Sequence, residues 1–432
     1  MGTILATILM LILMGIGIHI AGTMFVVGFA GAWVALGDAI VNDFGNQVWL
    51  ALNNFALTSI PLFILLGEML LRSDITEKMY HSLSLWLSRL PGGLLHTNIG
   101  ACALMAATSG SSVATAATLG VVAIPTMMAK GYNERMLLGS VCAGGTLGIL
   151  IPPSINMIIY GSISNTSIGK LFIAGVIPGI LLAVSFSLVI AVIAIIKPSW
   201  VGGTVEPKTS FRDKLRTIPA FLPAVVIVFA IMGSIYLGWA TPTEAAALGV
   251  FATLIIALIK KKVTIKFLHD SFVSAVKSTS MILLIMVAAF YLNYVISILG
   301  LPQLFTEWFM GFNFSPKIVV FMVMLLYIIL GMFIETVAMM VTTIPLILPI
   351  VTAAGYDPIW FGIFLVVLCE ASLVTPPVGM NLYVVQGIRT TKGPMKDIVI
   401  GMLPFLAMMI LLMVFLIYFP PLATWLPKYM MG

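Results

Sequence analysis

The chain has 432 residues, of which 61% are hydrophobic and 8% are charged, and its mean hydropathy is +1.16. A soluble globular protein cannot hide so much apolar surface, so the composition excludes that class and indicates an all-α polytopic protein in a lipid bilayer. The formal charge of +6 does not indicate nucleic acid, because the basic residues lie in short loops between apolar segments.

Apolar runs of about 17–25 residues predict ten membrane spans. Residues 3–18 lack a basic amino-terminal region and a small-residue cleavage site, so they are interpreted as a retained span and not as a signal peptide. In chain order, the predicted spans are residues 3–18, 21–36, 55–71, 136–162, 171–196, 218–237, 243–259, 278–299, 360–386 and 398–419.

Two further apolar stretches are interrupted by residues that do not suit a single span. Residues 94–128 contain the hydroxyl-rich sequence Thr-Ser-Gly-Ser-Ser at 108–112, and residues 317–353 contain Gly331 and the acidic Glu335. Each stretch is long enough to enter the membrane, turn and leave on the same side. Both are therefore predicted to form re-entrant hairpins.

The basic residues predict the orientation of these segments. With the amino terminus outside, all Lys and Arg residues except Lys170, Lys317 and Lys428 fall in the inner loops. Such a bias places the loops in the cytoplasm and both chain termini in the periplasm. The inner loops are residues 72–94, 129–135, 197–217, 260–277 and 387–397.

An internal repeat relates residues 125–153 to residues 349–377 without a gap, and each copy ends in a double proline, Pro152-Pro153 or Pro376-Pro377. Proline breaks a helix, and broken backbone survives in lipid only where protein or a polar cavity satisfies it. Two broken helices at matching positions predict a transporter binding site.

The repeat also predicts how the chain is divided. Residues 1–196 and residues 218–432 each hold five spans and one hairpin, and residues 197–217 form a cytoplasmic connector. Because five is an odd number, the two halves insert with opposite orientation and form an inverted repeat, as in elevator-type ion transporters. Amphipathic segments at 76–90 and 301–312 precede the hairpins and either brace a moving unit or anchor the chain at the interface.

Small and hydroxyl residues of the first half suggest a site for a hard cation such as Na⁺, because hydroxyl and carbonyl oxygens are suitable ligands. Close packing of helices through small residues is the alternative interpretation. The candidate residues are Ser109, Ser111, Gly145, Thr146 and Pro152.

The second half is more acidic at the matching positions. The repeat places Glu335 opposite Ser111 and Glu370 opposite Thr146. Carboxylates at membrane depth are costly, which makes them candidate cation ligands, although each can instead satisfy backbone at a helix break. The candidates of this half are Glu335, Thr336, Glu370, Thr375 and Gly379.

Polar residues near the tips and breaks are candidates for binding a solute. Asn and Tyr can hydrogen-bond a polar solute without the desolvation cost of a charge, although Tyr at a span end is also typical of the interfacial belt. Lys and Arg are missing from the centres of the spans, so an anion would be held by helix N-termini and bound cations. The candidates are Ser112, Asn156, Tyr160, Asn381 and Tyr383.

The motifs Ser-Gly-Ser-Ser at 109–112, Ala-Lys-Gly-Tyr at 129–132, Ile-Pro-Pro-Ser at 151–154 and Thr-Pro-Pro-Val-Gly at 375–379 resemble the large membrane subunit of tripartite ATP-independent periplasmic (TRAP) transporters. The resemblance covers nearly the whole chain. It implies Na⁺-driven import of an organic acid by an elevator mechanism in a bacterial inner membrane. It also implies a small four-span membrane subunit as a separate chain and a periplasmic substrate-binding protein. General resemblance favours sialic acid over C4-dicarboxylates.

Other functions need features that are weak in this sequence. An intramembrane enzyme would need a nucleophile with a base or a metal site, but no HExxH motif or paired aspartates occur, and four scattered histidines suggest no metal. Cys102, Cys142 and Cys369 lack a CxxC spacing and are interpreted as buried hydrophobes. A proton-coupled organic anion transporter without a binding protein, a channel and a scaffolding subunit remain as alternatives.

Overall fold

A computed structural model describes residues 9–10, 12–37, 39–73, 75–203 and 210–431, and within these ranges the chain is helical. Of the predicted span at 3–18, residues 3–8 and 11 lie outside the described residues. The helices are Ile20–Leu36, Ala39–Leu52, Ser59–Leu71, Ile75–Leu87, Leu94–Ser109, Ser112–Ala129, Glu134–Thr146, Ile155–Ser164, Ile168–Ile196, Pro198–Val201, Phe211–Thr217, Leu222–Val228, Ser234–Tyr236, Pro242–Ile259, Ile265–Ile298, Leu301–Met310, Pro316–Gly331, Thr336–Ala353, Pro358–Ser372, Met380–Ile388, Met395–Tyr418 and Pro421–Met431.

Six helices of the described residues are long and apolar enough to cross a membrane, or up to eight if each of two bent pairs is one span. This count is lower than the ten predicted spans. Prolines split the predicted spans at 136–162 and 360–386 into shorter arms, and Ile20–Leu36 has only 17 residues. Conversely, Ser112–Ala129 and Thr336–Ala353, which belong to the predicted hairpins, are among the six helices long enough to cross a membrane.

Both predicted hairpins form as pairs of helices that pack on each other. In the first hairpin, Leu94–Ser109 and Ser112–Ala129 are joined at Gly110, whose φ of 62° is left-handed and suits a residue without a Cβ. In the second hairpin, Pro316–Gly331 and Thr336–Ala353 are joined by residues 332–335. The positions of both tips agree with the sequence, and their depth in the membrane stays a prediction.

Both broken helices also form where the prolines predict them. The first consists of Glu134–Thr146, a 3-10 turn at Leu147–Ile149 and Ile155–Ser164. The second consists of Pro358–Ser372 and Met380–Ile388. The Pro-Pro peptide bond is cis in both breaks. Each proline lacks the backbone N–H that would continue the helical ladder.

Two parts of the chain differ from the expected pattern. Residues 260–277 were expected to be an inner loop, but Ile265–Ile298 is one helix of 34 residues that Thr264 caps by accepting from Phe267 N at 3.0 Å. The expected single span at 218–237 is irregular, with a 3-10 turn at Ile218–Ala220 and a π-helical turn at Phe229–Gly233. Charged residues lower the hydropathy of residues 260–277, so hydropathy did not indicate that a helix begins there. Hydropathy also does not register the prolines that interrupt the segment at 218–237.

The two hairpins and two broken helices pack together at the centre of the fold. Ser112–Ala129 contacts both Glu134–Thr146 and Met380–Ile388, and Thr336–Ala353 contacts Ile155–Ser164. Helix Ile265–Ile298 packs against Ser59–Leu71 and also against Thr336–Ala353. Elements from distant parts of the sequence therefore surround both breaks.

Both predicted amphipathic segments are helices, at Ile75–Leu87 and Leu301–Met310. The first is tied to the hairpin by a buried hydrogen-bond chain. Tyr80 Oη donates to Asn98 Oδ1 at 3.0 Å, and Asn98 Nδ2 donates to Ser140 Oγ at 2.9 Å. This helix is therefore linked through the first hairpin to the first broken helix.

Candidate functional site

The first hairpin tip lies directly against the first break. A Cβ added at Gly110 would lie 3.0 Å from Pro153 O, and one added at Gly148 would lie 2.6 Å from Ser111 O. Only glycine allows the backbone to approach so closely at Gly148. The structure therefore brings Gly110 and Ser111 of the first tip against the Pro152-Pro153 break and the turn that precedes it.

The hydroxyls of the first tip bond mainly with one another. Ser109 Oγ lies 2.8 Å from Thr115 Oγ1, which donates to Ser111 O at 2.7 Å. Ser111 Oγ caps the second arm by accepting from Ala114 N at 3.4 Å. Sequence reasoning missed Thr115, which is fully buried. The sequence did contain a signal for it, because Thr115 lies four residues after Ser111 and is therefore one helical turn away on the same face.

Two other first-half candidates have structural roles in the described state. Thr146 Oγ1 donates to Ala143 O at 2.8 Å, and within the described part of the chain no hydrogen bond to its lone pairs is seen. A Cβ added at Gly145 would lie 2.6 Å from Ala116 Cβ. Close helix packing therefore explains Gly145, whereas Thr146 still offers an oxygen.

The second tip borders a cavity of about 320 Å³. Glu335 caps Thr336–Ala353, because its Oε2 accepts from Ala338 N and its Oε1 accepts from Thr336 Oγ1, both at 3.0 Å. Val378 N donates to Met332 O at 3.2 Å, which joins this tip to the second break. The cavity is lined by, among others, Gly331, Glu335, Thr336, Ser372 and Gly379.

Glu370 differs from Glu335. Its side chain is fully buried, and neither carboxyl oxygen has a hydrogen-bond partner among the described residues. Burial of an ionised carboxylate without partners costs far more than burial of a neutral group. Backbone capping thus accounts for Glu335 but not for Glu370. Nearby, Thr375 Oγ1 donates to Ala371 O at 2.6 Å, which is a bond within its own helix end.

Two solute candidates from opposite halves meet at the centre. Asn381 Nδ2 donates to Ser112 Oγ at 2.7 Å and to Cys142 O at 3.4 Å. Asn381 Oδ1 and Asn156 Nδ2 are buried atoms without a hydrogen-bond partner among the described residues. The pairing of Ser112 with Asn381 spans 269 positions of sequence, so no local pattern indicated it.

The two tyrosines lie elsewhere. Tyr160 is fully buried and its Oη donates to Pro358 O at 2.6 Å, so it joins the second arm of one broken helix to the start of the other. Tyr383 is 55% exposed, and its Oη donates to Pro377 O at 3.4 Å. In the described state neither hydroxyl bonds to the Ser112–Asn381 pair.

Comparison with known proteins identifies the family. Residues 2–422 match the family described as "Tripartite ATP-independent periplasmic transporter, DctM component". The C4-dicarboxylate TRAP transporter large permease protein DctM of Pseudomonas aeruginosa is 33% identical over 378 residues, which is 87% of each chain. The sialic acid TRAP transporter large permease protein SiaM of Vibrio cholerae is 30% identical over 413 residues, which is 94% of this chain and 95% of that protein.

A solved structure shows a similar fold. The YdaH transporter of Alcanivorax borkumensis superimposes with a TM-score of 0.62 over 90% of this chain and 89% of that chain, at 13% identity. The family match covers nearly the whole chain, and two relatives of at least 30% identity cover most of it. The chain therefore belongs to the DctM family of tripartite ATP-independent periplasmic transporters, as a TRAP large permease.

Proposed function

We propose that this permease imports a small organic acid across the bacterial inner membrane, coupled to Na⁺, by an elevator mechanism. The observation on which this rests is the Ser112–Asn381 hydrogen bond, which joins the first hairpin tip to the second break. Both residues also lie at helix N-termini, since Ser112 is the first residue of Ser112–Ala129 and Asn381 is the second residue of Met380–Ile388. Backbone N–H groups at helix N-termini attract a carboxylate.

The substrate class follows from the relatives and from the polar groups at the centre. The relatives described above are named for C4-dicarboxylates and for sialic acid, which are all carboxylic acids. Asn156 and Asn381 each have one buried atom available for a hydrogen bond to a polar solute. We retain sialic acid as the first solute to test and a C4-dicarboxylate as the second.

Na⁺ coupling is supported by neutral oxygens at the first tip, where Ser109 Oγ, Thr115 Oγ1 and Ser111 O lie within hydrogen-bond distance of one another. The hydroxyl of Thr146, in the first broken helix, offers a further neutral oxygen. Hard cations prefer such ligands. At the second tip, Glu335 and Thr336 present oxygens to the cavity. Glu370 would add a negative charge close to this break.

The elevator proposal divides the chain into a moving block and a frame. The block contains the hairpins and broken helices, which pack on one another, and the frame contains Ser59–Leu71 and the segment at 218–237. The bond from Tyr80 to Asn98 ties Ile75–Leu87 to the block, so in this proposal that helix is the link between block and frame. An inverted repeat provides two related packings that open the site to opposite sides.

As a TRAP large permease, the chain is proposed to act with a small four-span membrane subunit and a periplasmic substrate-binding protein. The test is uptake of labelled sialic acid or C4-dicarboxylate into proteoliposomes that contain both membrane subunits. We expect uptake only when the binding protein and an inward Na⁺ gradient are both present. Uptake that needs no binding protein, or no ion gradient, would contradict the proposal.

A second candidate, proton-coupled transport, is favoured by one observation. Glu370 is fully buried without a hydrogen-bond partner among the described residues, and a lone intramembrane carboxyl is a candidate proton carrier. The same proteoliposomes distinguish the candidates. A proton gradient without Na⁺ should give no uptake if Na⁺ is the coupling ion, and full uptake if the proton is.

A further inference from the structure

A cluster of charged side chains lies at the other end of the helix that begins beside Asn381. Arg389, which directly follows Met380–Ile388, donates from Nε to Glu134 Oε1 at 2.8 Å and from Nη2 to Asp397 Oδ2 at 3.2 Å. Its side chain is only 2% exposed. Glu134 opens Glu134–Thr146, and Asp397 lies in the first turn of Met395–Tyr418. One guanidinium thus joins three helices.

The short helix is held at both ends against the same neighbour. At its start, Asn381 Nδ2 donates to Cys142 O, and just past its end Arg389 pairs with Glu134. Asn381 and Arg389 are eight positions apart in the sequence, as are Cys142 and Glu134. The two helices therefore run antiparallel in register, and a movement at one end of this short rod must move the other end.

Glu134 and Arg389 lie at helix termini where their charges are favourable. Glu134 lies at a helix N-terminus and Arg389 at a helix C-terminus, which is the favourable arrangement with respect to the helix dipoles. The hydrogen bond from Arg389 lowers the pKa of the Glu134 carboxyl, so the pair is charged at neutral pH. Thr391 Oγ1 also donates to Glu134, and Arg389 Nη1 donates to Pro394 O at 3.1 Å. A partly buried ion pair whose charged groups make several further hydrogen bonds fixes geometry well.

We propose that Arg389 is a positioning residue for the solute site: by holding the far end of Met380–Ile388 against Glu134, it sets where Asn381 stands relative to Ser112. This inference rests on the proposed function, in which Asn381 and Ser112 contact the solute. Loss of the guanidinium frees the end of the helix and weakens the Asn381–Ser112 alignment, although Arg389 itself touches no solute.

The first test is uptake kinetics in proteoliposomes with the complete transporter. Arg389→Gln should raise the KM for the solute by roughly three- to tenfold, the effect of one weakened hydrogen bond, and should change kcat less. Arg389→Lys keeps the charge and should recover part of the loss. Arg135→Gln is the matched control, because Arg135 pairs with Asp397 but is 52% exposed and does not bond Glu134 through its side chain.

A pair of variants tests whether Arg389 acts through Glu134. Glu134→Gln alone should raise KM like Arg389→Gln, and the double variant should be no worse than Arg389→Gln, because both changes remove one interaction. Additive effects in the double variant would contradict a shared pathway. If Arg389→Gln fails to fold, the KM values of Arg389→Lys, Glu134→Gln and their double variant are compared in the same way to test whether Arg389 acts through Glu134.

The second readout does not depend on transport. Cysteines at 112 and 381, in a background with Cys102, Cys142 and Cys369 replaced by Ala, should cross-link readily under mild oxidation, and Arg389→Gln should slow this several-fold. Unchanged cross-linking and unchanged KM would overturn the inference. If Arg389→Gln slows cross-linking but Asn381→Ala leaves KM unchanged, Arg389 does position the helix and the proposed solute site is wrong.

Discussion

At the first hairpin tip, Ser109, Ser111 and Thr115 bond with one another against a closely packed break, whereas at the second tip Glu335 faces a cavity of about 320 Å³. Ser111 and Glu335 nevertheless have the same structural role. Each is the N-cap of the second arm of its hairpin and accepts a hydrogen bond from the backbone N–H three residues later. Both copies of the repeat therefore have an N-cap side chain at this position, but only the second copy has a carboxyl group there.

This difference shows how one backbone pattern can provide two chemically distinct sites. A short acceptor side chain is needed at both tips because the first N–H groups of a helix lack partners. The Ser111 hydroxyl accepts such a hydrogen bond without introducing a charge. The Glu335 carboxylate accepts one and also brings a negative charge beside the cavity. The same contrast recurs in the breaks, where Thr146 bonds its own helix and the matching Glu370 bonds no described residue.

The largest expected effect is an all-or-none difference in labelling that tests whether the two tips belong to inverted halves. Single cysteines at Pro91 and Asn313, both exposed just before their hairpins, should label from opposite sides of the membrane. The positive-inside bias predicts that Pro91 lies in the cytoplasm and Asn313 in the periplasm. By the same topology, a cysteine at Lys261 should label from the inside and one at Lys428 from the outside. Labelling of Pro91 and Asn313 from one side would exclude an inverted repeat.

The next effect compares the matching positions of the two breaks. Glu370→Gln should reduce cation-dependent uptake by tenfold or more, because a hydrogen bond or ligand contact with a charged group contributes about 1.5–3 kcal/mol. Thr146→Ala, at the matching position, removes one neutral oxygen and should cost only about 1 kcal/mol. Uptake measured against Na⁺ concentration checks both. Normal uptake by Glu370→Gln would remove this carboxyl from the cation site.

Steric variants test whether each tip needs close contact with its break. A Cβ at Gly331 would overlap Ser372 Cβ, and one at Gly148 would lie 2.6 Å from Ser111 O. Alanine at either position should lower the free energy of unfolding by about 1–3 kcal/mol through overpacking. Gly387→Ala is the control, since no atom lies within 4 Å of its added Cβ. Thermal unfolding of the purified protein measures the change, and equal stability of all three variants would argue against tight tip–break packing.

The smallest effect separates the cap role of Ser111 from cation binding. Ser111→Ala should cost about 1 kcal/mol of stability as a lost N-cap, whereas Ser111→Gly should cost only a few tenths. Both variants lack the hydroxyl, so both should raise the Na⁺ concentration for half-maximal uptake equally. If the Na⁺ dependence follows stability instead, or does not change in either variant, Ser111 is a cap and not a ligand.

Local sequence was enough to locate the interruptions of this fold. Prolines at 152–153 and 376–377 have no backbone N–H for a helical ladder, so the breaks follow from covalent structure. Gly110 and the polar residues around both tips likewise mark places where a helix ends. The helical membrane class follows from composition alone, because apolar surface of this extent is stable only in lipid. By contrast, hydropathy failed at 265–277, where charged residues occupy the start of a long helix.

Only the tertiary structure decided which of the candidate residues meet. The bond between Ser112 and Asn381 and the pair between Arg389 and Glu134 join residues more than two hundred positions apart. Such contacts depend on how helices pack, and packing is the sum of many weak contacts that no short sequence pattern records. For the same reason, the burial of Glu370 without a partner could not be read from its neighbours in the chain, since burial depends on the helices that surround it.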